Sequence, residues 1–280
     1  MSAPSPTLRV CALYPELLNI YADRGNLMML ERRCGWRGIG FELAARGLGE
    51  ALEPGAHDLF YLGGGQDRDQ RACAEDLLAT KRDALHEAAA RGAIVLGICG
   101  GYQLLGRSYE LSDGDTIGGV ELIDAHTVRE PGPRLIGNVA IEVQLDGRGD
   151  SSSGSSGGGG GSGGADPDED ADARRRPVPQ PPRILAGFEN HGGRTHLGAG
   201  ERALGRVVRG HGNDGRSGLE GARRGSVIGT YLHGPLLPKN SWFADWLIAT
   251  ALGIEPWELA PLEDALERRA HEAAIRAAGA

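Results

Sequence analysis

The sequence is poor in aromatic residues and has no excess of basic charge. Phenylalanine, tryptophan and tyrosine make up 5% of the 280 residues, and 30 Lys and Arg stand against 38 Asp and Glu, giving a net charge of −8. Because phosphate binding needs a basic surface, this balance argues against nucleic acid as the main partner. An acidic chain can still dock on another protein, so a protein partner remains open.

The sequence also lacks long apolar runs and paired cysteines. No stretch of about 18 apolar residues could span a bilayer, and the N-terminal "MSAPSPTLRV" has no apolar core of the length that a signal peptide needs. None of the four cysteines belongs to a C-x-x-C pair, which disfavours a zinc or redox motif. We therefore expect a cytoplasmic protein with reduced thiols and no direct membrane insertion.

Apolar runs alternate with helical patterns in the first part of the chain. This alternation is typical of an α/β fold with an open, mostly parallel sheet flanked by helices. After Gly106 the pattern becomes β-rich, and two further helical patterns follow it. The predicted strands in the first part are Leu8–Pro15, Asp58–Gly65 and Ala93–Cys99, and the predicted helices are Glu16–Arg33, 68–92, 241–253 and 262–278.

One segment differs in composition from the rest. Residues 146–183 are Gly/Ser-rich, then acidic, then basic and Pro-rich, with almost no apolar side chains. Such a segment cannot offset its ordering entropy by burial, so we predict a disordered loop between two strands. Because long surface insertions cost little in closure entropy, we expect a single domain over residues 8–280, interrupted at about 146–183. Residues 1–7 are predicted to be a disordered N-terminus.

The run "AIVLGICGGYQLLG" sets Cys99 between an apolar strand and a short helix. A nucleophile at such a sharp turn occupies a strained backbone conformation, so its neighbours must be small. Gly97, Gly100 and Gly101 meet this need, which marks Cys99 as a nucleophile rather than a buried core thiol. We expect the N-terminus of the following helix to stabilise its thiolate. The other three cysteines fit the role of small buried apolar residues.

An oxyanion hole is expected beside this cysteine. The amide of Gly100 is predicted to point to the place where an oxyanion would form. A second amide is expected from Gly64 or Gly65 in the turn "LGGGQD", because the ends of parallel strands meet at one edge of the sheet.

A cysteine nucleophile also needs a histidine base. His233 follows the apolar strand "VIGTYL" and precedes "GPLL", so it lies at a strand end as Cys99 does and is assigned as the base. His191, in "GFENHGG", also lies near a strand end. For His191 both an accessory role in the site and a structural role remain open.

These motifs together resemble a known family. "GICGGYQLLG" with "YLHGPLL" resembles a class I glutamine amidotransferase domain, which implies a flavodoxin-like sheet, and "GFENHGG" resembles the cobyric acid synthase-like branch. "YPELLNIYADRGN" and "LGGGQDRDQ" are similar to the GatD-type glutaminase subunits of lipid II isoglutaminyl synthases. The resemblance covers nearly the whole chain except residues 146–183.

The resemblance implies a reaction and a partner. Cys99 would attack the side-chain amide of L-glutamine, ammonia would leave protonated through His233, and water would hydrolyse the resulting thioester. The ammonia would pass to a MurT-type, Mur ligase-like synthetase that amidates the D-glutamate α-carboxyl of lipid II in peptidoglycan synthesis. The resemblance implies no cofactor in this chain, and places ATP and Mg²⁺ in the partner.

The resemblance also implies an arginine that binds the carboxylate of glutamine. Arg134, in "PRLIGNV", is the best match, because a guanidinium fork can bind both carboxylate oxygens. Arg129 lies close by and remains an alternative. Gln103, on the short helix after the cysteine, is assigned to the same substrate site.

One position departs from the family pattern. Many class I amidotransferases carry a glutamate two residues after the histidine, and Pro235 occupies that position here. Either Glu189 supplies the acid that orients His233, or, as the GatD-type resemblance suggests, a partner subunit supplies an aspartate. A further polar cluster remains ambiguous between a solvated helix face, a site rim and a partner contact; its members are Tyr21, Asp23, Arg24 and Asn26.

Three rival functions make different demands on the sequence. An amidotransferase subunit serving a cobyrinic acid-type synthetase remains an alternative, but this sequence has no G-x-x-x-x-G-K-[ST] phosphate loop and so needs a partner for ligation. A non-catalytic scaffold would not need Cys99, its glycines and His233 together. For a cysteine peptidase or stress-protein relative, "GFENHGG" and Arg134 favour glutamine instead.

Overall fold

The computed structural model describes residues 5–20, 23–145 and 183–280. Its strands are β1 (Thr7–Leu13), β2 (Gly40–Arg46), β3 (Leu59–Leu62), β4 (Ile94–Ile98), β5 (Ser108–Glu110), β6 (Thr116–Gly118), β7 (Ala125–Val128), β8 (Leu135–Val143), β9 (Arg183–His191), β10 (Arg194–Leu197), β11 (Gly205–Arg209), β12 (Leu219–Glu220), β13 (Ala222–Arg224) and β14 (Val227–Thr230). Its α-helices are α1 (Arg24–Gly35), α2 (Asp67–Asp76), α3 (Arg82–Ala90), α4 (Gly100–Leu105), α5 (Leu236–Lys239), α6 (Ser241–Leu252) and α7 (Ala265–Ala278).

The main sheet has six strands in the order β13-β14-β4-β3-β1-β2. Its pairs are parallel except at one edge, where β13 runs antiparallel to β14. All residues of β3, β4 and β14 are buried, which is typical of parallel strands covered on both faces. The predicted α/β fold with an open, mostly parallel sheet is confirmed.

The register of the central strands places three chain segments at one edge of this sheet. Leu62 pairs with Gly97, and Thr230 pairs with Ile98. The turn after β3, the residue after β4 and the segment after β14 therefore leave the sheet side by side at its carboxyl edge. This edge is where ligands bind in open α/β sheets.

The β-rich second half of the chain forms two four-stranded sheets, with the orders β10-β7-β5-β6 and β12-β11-β8-β9. The antiparallel pair of β8 and β9 runs from Leu135 opposite His191 to Val143 opposite Arg183. This ladder holds the two ends of the predicted insertion together. The insertion itself, residues 146–183, lies outside the described residues except for Arg183, which begins β9.

The segment after β1 differs from the helix predicted over Glu16–Arg33, because α1 begins only at Arg24. Tyr14 adopts a left-handed conformation with φ of 52°, and its carbonyl oxygen accepts the amides of Leu17 and Leu18 at 2.9 and 2.8 Å. This turn redirects the chain, so Leu18 packs on the turn after β3 instead of joining an apolar helix stripe.

Other boundaries differ in smaller ways. The helix predicted over 68–92 is present as α2 and α3, joined by a π-helical turn at Leu77–Lys81. Strand β2 was not predicted, because it lies at the sheet edge and most of its residues are partly or fully exposed. Strand β1 begins at Thr7, one residue before the predicted start, and residues 1–4 lie outside the described residues.

Helix α6 is apolar on most of its surface and packs into the core beside the main sheet. Phe243, Leu247 and Ile248 are completely buried, which fits a helix whose apolar face is not confined to one stripe. With 12 residues, α6 is shorter than the roughly 20 apolar residues of a membrane-spanning helix, and its apolar surface is covered by the core. Within the described ranges, no helix has both the length and the apolar character required to cross a membrane.

A buried arginine ties α1 to the C-terminal helices. The guanidinium of Arg33 has no exposed side-chain area and donates to both carboxylate oxygens of Asp245, at 2.5 and 2.6 Å. It also donates to both carboxylate oxygens of Asp264, at 2.9 and 2.8 Å. Such forked, charge-assisted bonds offset the desolvation of a buried cation only while both partners are present.

We predict that Arg33→Ala lowers the free energy of unfolding by about 3 kcal/mol, because Asp264 loses the cation that it pairs with here and Asp245 keeps only its pair with Arg37. Urea unfolding followed by circular dichroism measures the change. The neighbouring exposed Arg32 provides a matched control, and Arg32→Ala should leave the midpoint nearly unchanged. Equal midpoints for the two variants would contradict a structural role for the Arg33 cluster.

Candidate active site

Cys99 lies between the end of β4 and the start of α4, in a left-handed conformation with φ of 52°. A non-glycine residue held there stores about 1–3 kcal/mol of strain, which concentrates at functional sites. Its amide donates to the carbonyl oxygen of Thr230 at 2.8 Å, tying the turn to β14. A Cβ on Gly101 would lie 2.4 Å from the carbonyl oxygen of Leu62, so no larger residue fits there. The structure therefore contains the sharp, glycine-lined turn that the sequence predicts.

The turn after β3 packs directly against the cysteine turn. The amide nitrogen of Gly65 lies 2.9 Å from the place where a Cβ on Gly100 would be, so these two backbone segments meet without side chains. The amide of Gly64 instead donates to Oδ2 of Asp23 at 2.6 Å. This bond corrects the expectation that Gly64 could supply an oxyanion-hole donor. The amides of Gly65 and Gly100 are the candidate donors that remain from the predicted set.

Burial controls the protonation of the candidate nucleophile. The pKa of the Cys99 thiol is raised to about 12, chiefly by burial and next by the charge of Asp23, while Arg134 and the amide of Gly100 act in the opposite direction. The expected stabilisation of a thiolate by the helix N-terminus is therefore outweighed, since a thiolate in this buried position loses its hydration. At neutral pH the resting residue is a thiol.

His233 follows β14, three residues after Thr230, which pairs with the last residue of β4. Its backbone pairs with Phe188 of β9 through two hydrogen bonds of 2.9 and 3.0 Å, and its ring packs edge-on against the Phe188 ring. Burial lowers the pKa of the imidazole to about 4, with smaller effects from His191, Lys239 and Arg134 in the same direction. The imidazole is thus neutral near pH 7 and able to accept a proton.

A cavity of about 590 Å³ opens beside Cys99. Five other candidate site residues from the sequence line it together with the cysteine, and so do several polar residues at the start of α2. Its size and polar wall suit a small, charged substrate. The lining residues are Ile20, Gly65, Gln66, Asp67, Arg68, Gln70, Cys99, Gln103, Tyr109, Arg129, Arg134, His191 and Gly192.

Both candidate carboxylate-binding arginines reach this cavity. Arg134 donates from Nε to the side-chain oxygen of Asn190, and from a terminal nitrogen to the carbonyl oxygen of Asn190, each at 2.7 Å. Arg129 passes so close to Gly192 that a Cβ there would lie 1.7 Å from a guanidinium nitrogen. Both arginines therefore line the cavity, and Arg134 is in addition anchored to β9.

His191 and Gln103 belong to one buried polar network on the cavity wall. The His191 ring stacks on Tyr231 with centroids 3.6 Å apart, and its Nδ1 lies 2.9 Å from the carbonyl oxygen of Gly193. Gln103 donates from its amide nitrogen to the Tyr231 hydroxyl at 3.2 Å, and that hydroxyl also bonds the Thr195 hydroxyl at 2.6 Å. The network orients both predicted residues at the cavity.

Glu189 does not serve as the orienting acid for His233 in this arrangement. Its carboxylate accepts the amides of His211 and Gly212 at 2.6 and 2.9 Å, and its other close neighbour is His191 at 4.0 Å. Because side chains alternate along a strand, Glu189 points to the opposite face of β9 from Phe188, which pairs with His233. The carboxylate therefore holds a loop rather than the base.

Sequence reasoning did not identify the role of Asp23. Within the polar cluster it belonged to, Arg24 is exposed, Asp23 and Asn26 are buried, and Tyr21 lies outside the described residues. Asp23 contacts the glycine turn through Gly64, which is 41 positions away in the sequence. No local sequence pattern marks such a contact, because it forms only when the chain folds.

Comparisons with known proteins show which proteins this chain is similar to. Residues 9–241 match the CobB/CobQ-like glutamine amidotransferase domain family. The lipid II isoglutaminyl synthase (glutamine-hydrolyzing) subunit GatD of Staphylococcus aureus (strain N315) is 33% identical over 263 residues, covering 93% of this chain and 91% of that protein. The protein of the same name from Streptococcus pneumoniae (strain ATCC BAA-255 / R6) is 32% identical over 246 residues, covering 88% of this chain and 80% of that protein.

A solved structure adds support for the fold. PurLQS from Thermotoga maritima aligns with a TM-score of 0.53 at 17% identity, covering 97% of this chain and all of the matched chain. At this identity the likeness concerns the fold alone. The family match and the long alignment at 33% identity with the Staphylococcus protein establish more: this chain is a glutamine amidotransferase that belongs to the CobB/CobQ-like family.

Proposed function

We propose that this chain is the glutaminase subunit of a lipid II isoglutaminyl synthase. It hydrolyses L-glutamine and delivers ammonia to a MurT-type synthetase, which amidates the α-carboxyl of D-glutamate in lipid II. The observation that carries the glutaminase assignment is the strained Cys99 at the wall of a cavity that also holds Arg129 and Arg134. The names of the Staphylococcus and Streptococcus relatives support a lipid II isoglutaminyl synthase as the complex, and the MurT type of its synthetase subunit is part of the proposal.

The protonation states of the site define the first half of the reaction. The neutral imidazole of His233 takes the proton of the Cys99 thiol, and the sulfur attacks the side-chain amide carbon of glutamine. The amides of Gly65 and Gly100 donate to the oxygen that becomes negative. The imidazolium then gives this proton to the side-chain amide nitrogen of glutamine. The carbon–nitrogen bond breaks, ammonia departs, and a glutamyl thioester remains on Cys99.

The second half regenerates the enzyme. His233 takes a proton from water, and the oxygen of that water attacks the thioester carbon. The carbon–sulfur bond breaks, glutamate forms, and the proton on His233 returns to the sulfur of Cys99. Each group ends in the state in which it began, so the chain needs no cofactor for this half-reaction.

The ligation step requires a second subunit. The sequence contains no G-x-x-x-x-G-K-[ST] phosphate loop, so ATP and Mg²⁺ are assigned to the synthetase. We also assign the third catalytic acid to that subunit. Pro235 occupies the position where many relatives carry a glutamate, and the Glu189 carboxylate holds the amides of His211 and Gly212.

Glutamate release from L-glutamine tests the assignment, measured for the chain alone and for its complex with the synthetase subunit. We expect weak release alone and strong release in the complex. Cys99→Ala should reduce release by roughly 10⁴-fold or more, because no other group replaces the nucleophile. Cys73→Ala removes another buried thiol and serves as the matched control.

Two results would contradict this assignment. Normal glutamate release by Cys99→Ala would exclude the thioester route. Equal rates for the chain alone and for the complex would show that the partner supplies no catalytic group to the glutaminase.

The two arginines can be separated by kinetics. Substituting the one that binds the glutamine carboxylate should raise KM roughly 10- to 100-fold with little change in kcat, because a charge-assisted bond is lost equally from substrate and transition state. The measurement compares Arg134→Ala with Arg129→Ala, and Arg71→Ala is a control at a half-buried arginine that does not line the cavity. An unchanged KM in both variants would exclude an arginine clamp.

The pH dependence of Cys99 alkylation tests whether the resting residue is a thiol. With a pKa raised to about 12, the thiolate fraction increases about tenfold per pH unit through the neutral range, and the rate of alkylation by iodoacetamide should follow it. Mass spectrometry of the peptide containing Cys99 measures that rate separately from the other cysteines. A plateau above about pH 7 would instead indicate a thiolate–imidazolium pair.

A further inference from the structure

Asp23 is a buried carboxylate beside the turn that supplies Gly65. Its side chain is 1% exposed, and Oδ2 accepts the amide of Gly64 at 2.6 Å. Oδ1 is also buried and has no hydrogen-bond partner among the described residues. The backbone of Asp23 is fixed as well, because its carbonyl oxygen accepts the amide of Asn26 at 2.9 Å and the hydroxyl of Tyr61 at 3.3 Å.

The segment that carries Asp23 holds the glycine turn at a second point. The amide of Ile20 donates to the carbonyl oxygen of Gly64 at 3.2 Å. This segment and the glycine turn lie too close together for a side chain on the turn, since a Cβ on Gly63 would lie 2.2 Å from the carbonyl oxygen of Leu18. Both polar backbone groups of Gly64 are thus bound by residues of one short segment.

These two bonds determine where the next amide points. The peptide unit between Gly64 and Gly65 is planar and trans, so the Gly65 N–H points opposite to the Gly64 carbonyl. Ile20 fixes that carbonyl, and Asp23 fixes the preceding amide. The nitrogen of Gly65 consequently stays against Gly100, on the side of the cysteine turn.

We propose that Asp23 is a positioning residue for the glutaminase reaction: its carboxylate holds the Gly63–Gly65 turn so that the Gly65 amide faces the developing oxyanion, and its charge acts on Cys99. This inference rests on the proposed function for its kinetic part. Asp23 itself touches neither the substrate nor the reacting atoms, and it works through the backbone of the turn.

The charge of Asp23 provides an independent readout. It is the largest contribution after burial to the raised pKa of Cys99, whereas Asp67 adds less and Arg134 opposes both. Burial raises the pKa of Asp23 to about 7, and the amide of Gly64 opposes that rise. The other titratable group beside it is Tyr61, whose own pKa burial holds well above its usual value. Removing the Asp23 charge should therefore lower the pKa of the thiol.

Two substitutions separate geometry from charge. Asp23→Asn keeps an oxygen that can accept the Gly64 amide but removes the charge, whereas Asp23→Ala removes both. In the complex with the synthetase subunit, Asp23→Ala should lower kcat by roughly tenfold or more without a matching rise in KM, because the oxyanion donor is misplaced. Asp23→Asn should retain kcat within about threefold, because an oxygen acceptor remains for the Gly64 amide.

Alkylation of Cys99 by iodoacetamide as a function of pH completes the test. In both variants Cys99 should be alkylated at a lower pH than in the wild type. The control Asp83→Asn removes an exposed carboxylate on α3, and its alkylation profile should match that of the wild type. Thermal unfolding checks that Asp23→Ala is folded. If it is not, the combination of retained kcat and shifted alkylation in Asp23→Asn decides the inference.

Several outcomes would overturn the inference. Wild-type kcat in Asp23→Ala would remove the positioning role, and so would an equal loss of kcat in both variants. An unchanged alkylation profile in Asp23→Asn would remove the action of the charge on Cys99. Absence of glutamate release by the wild-type complex would refute the proposed function instead, and the alkylation profile, which needs no substrate, would still decide whether Asp23 acts on the thiol.

Discussion

The structure depends on one contact in which two turns of backbone meet with no side chains between them. The cysteine turn after β4 and the glycine turn after β3 approach so closely that a single Cβ on Gly100 or Gly101 would overlap backbone of the other turn. The amide of Gly101 donates to the carbonyl oxygen of Gly63 at 3.0 Å across this contact. The positions of the candidate oxyanion donors and of the strained cysteine both depend on this approach.

Burial then gives the site its chemical character. A thiol and an imidazole in water would differ by only a few pKa units, but here burial raises the pKa of Cys99 to about 12 and lowers that of His233 to about 4. Both groups are therefore neutral at rest, and neither needs a counterion in the core. In the proposed reaction, charge develops only when substrate arrives, close to the candidate donor amides of Gly65 and Gly100 and to the arginines at the cavity.

Buried polar groups brace the segments that surround the site. The hydroxyl of Tyr14 donates to Asp76 at 2.6 Å, and Lys81 pairs with the same carboxylate. These contacts anchor the chain at Tyr14, just before the segment that contacts the glycine turn. On the other side, the Glu220 carboxylate accepts the amide of Tyr231 at 2.7 Å. Each such group is costly to bury unless it is satisfied, so these networks allow few alternative positions for the loops.

Much of this protein was determined by local sequence. The apolar runs of β3 and β4 predict buried parallel strands, because only a fully covered sheet needs apolar residues on both faces. The glycines around Cys99 predict a sharp turn, because only small residues tolerate its backbone. These features depend on neighbouring residues, and the order of strands and helices along the chain was sufficient to predict the open α/β sheet.

Tertiary structure decided what depends on contacts between distant segments. The apolar spacing after Pro15 resembled a helix, but Leu18 packs on a glycine turn supplied by a later strand. Gly64 and Gly65 look alike in the local sequence, and only the hydrogen bond to Asp23, formed on folding, excludes the Gly64 amide from the candidate oxyanion donors. The pKa of Cys99 likewise reflects burial, which no run of neighbouring residues specifies. Sequence could identify the reactive groups, whereas their orientation and protonation were decided by the residues that folding packed around them.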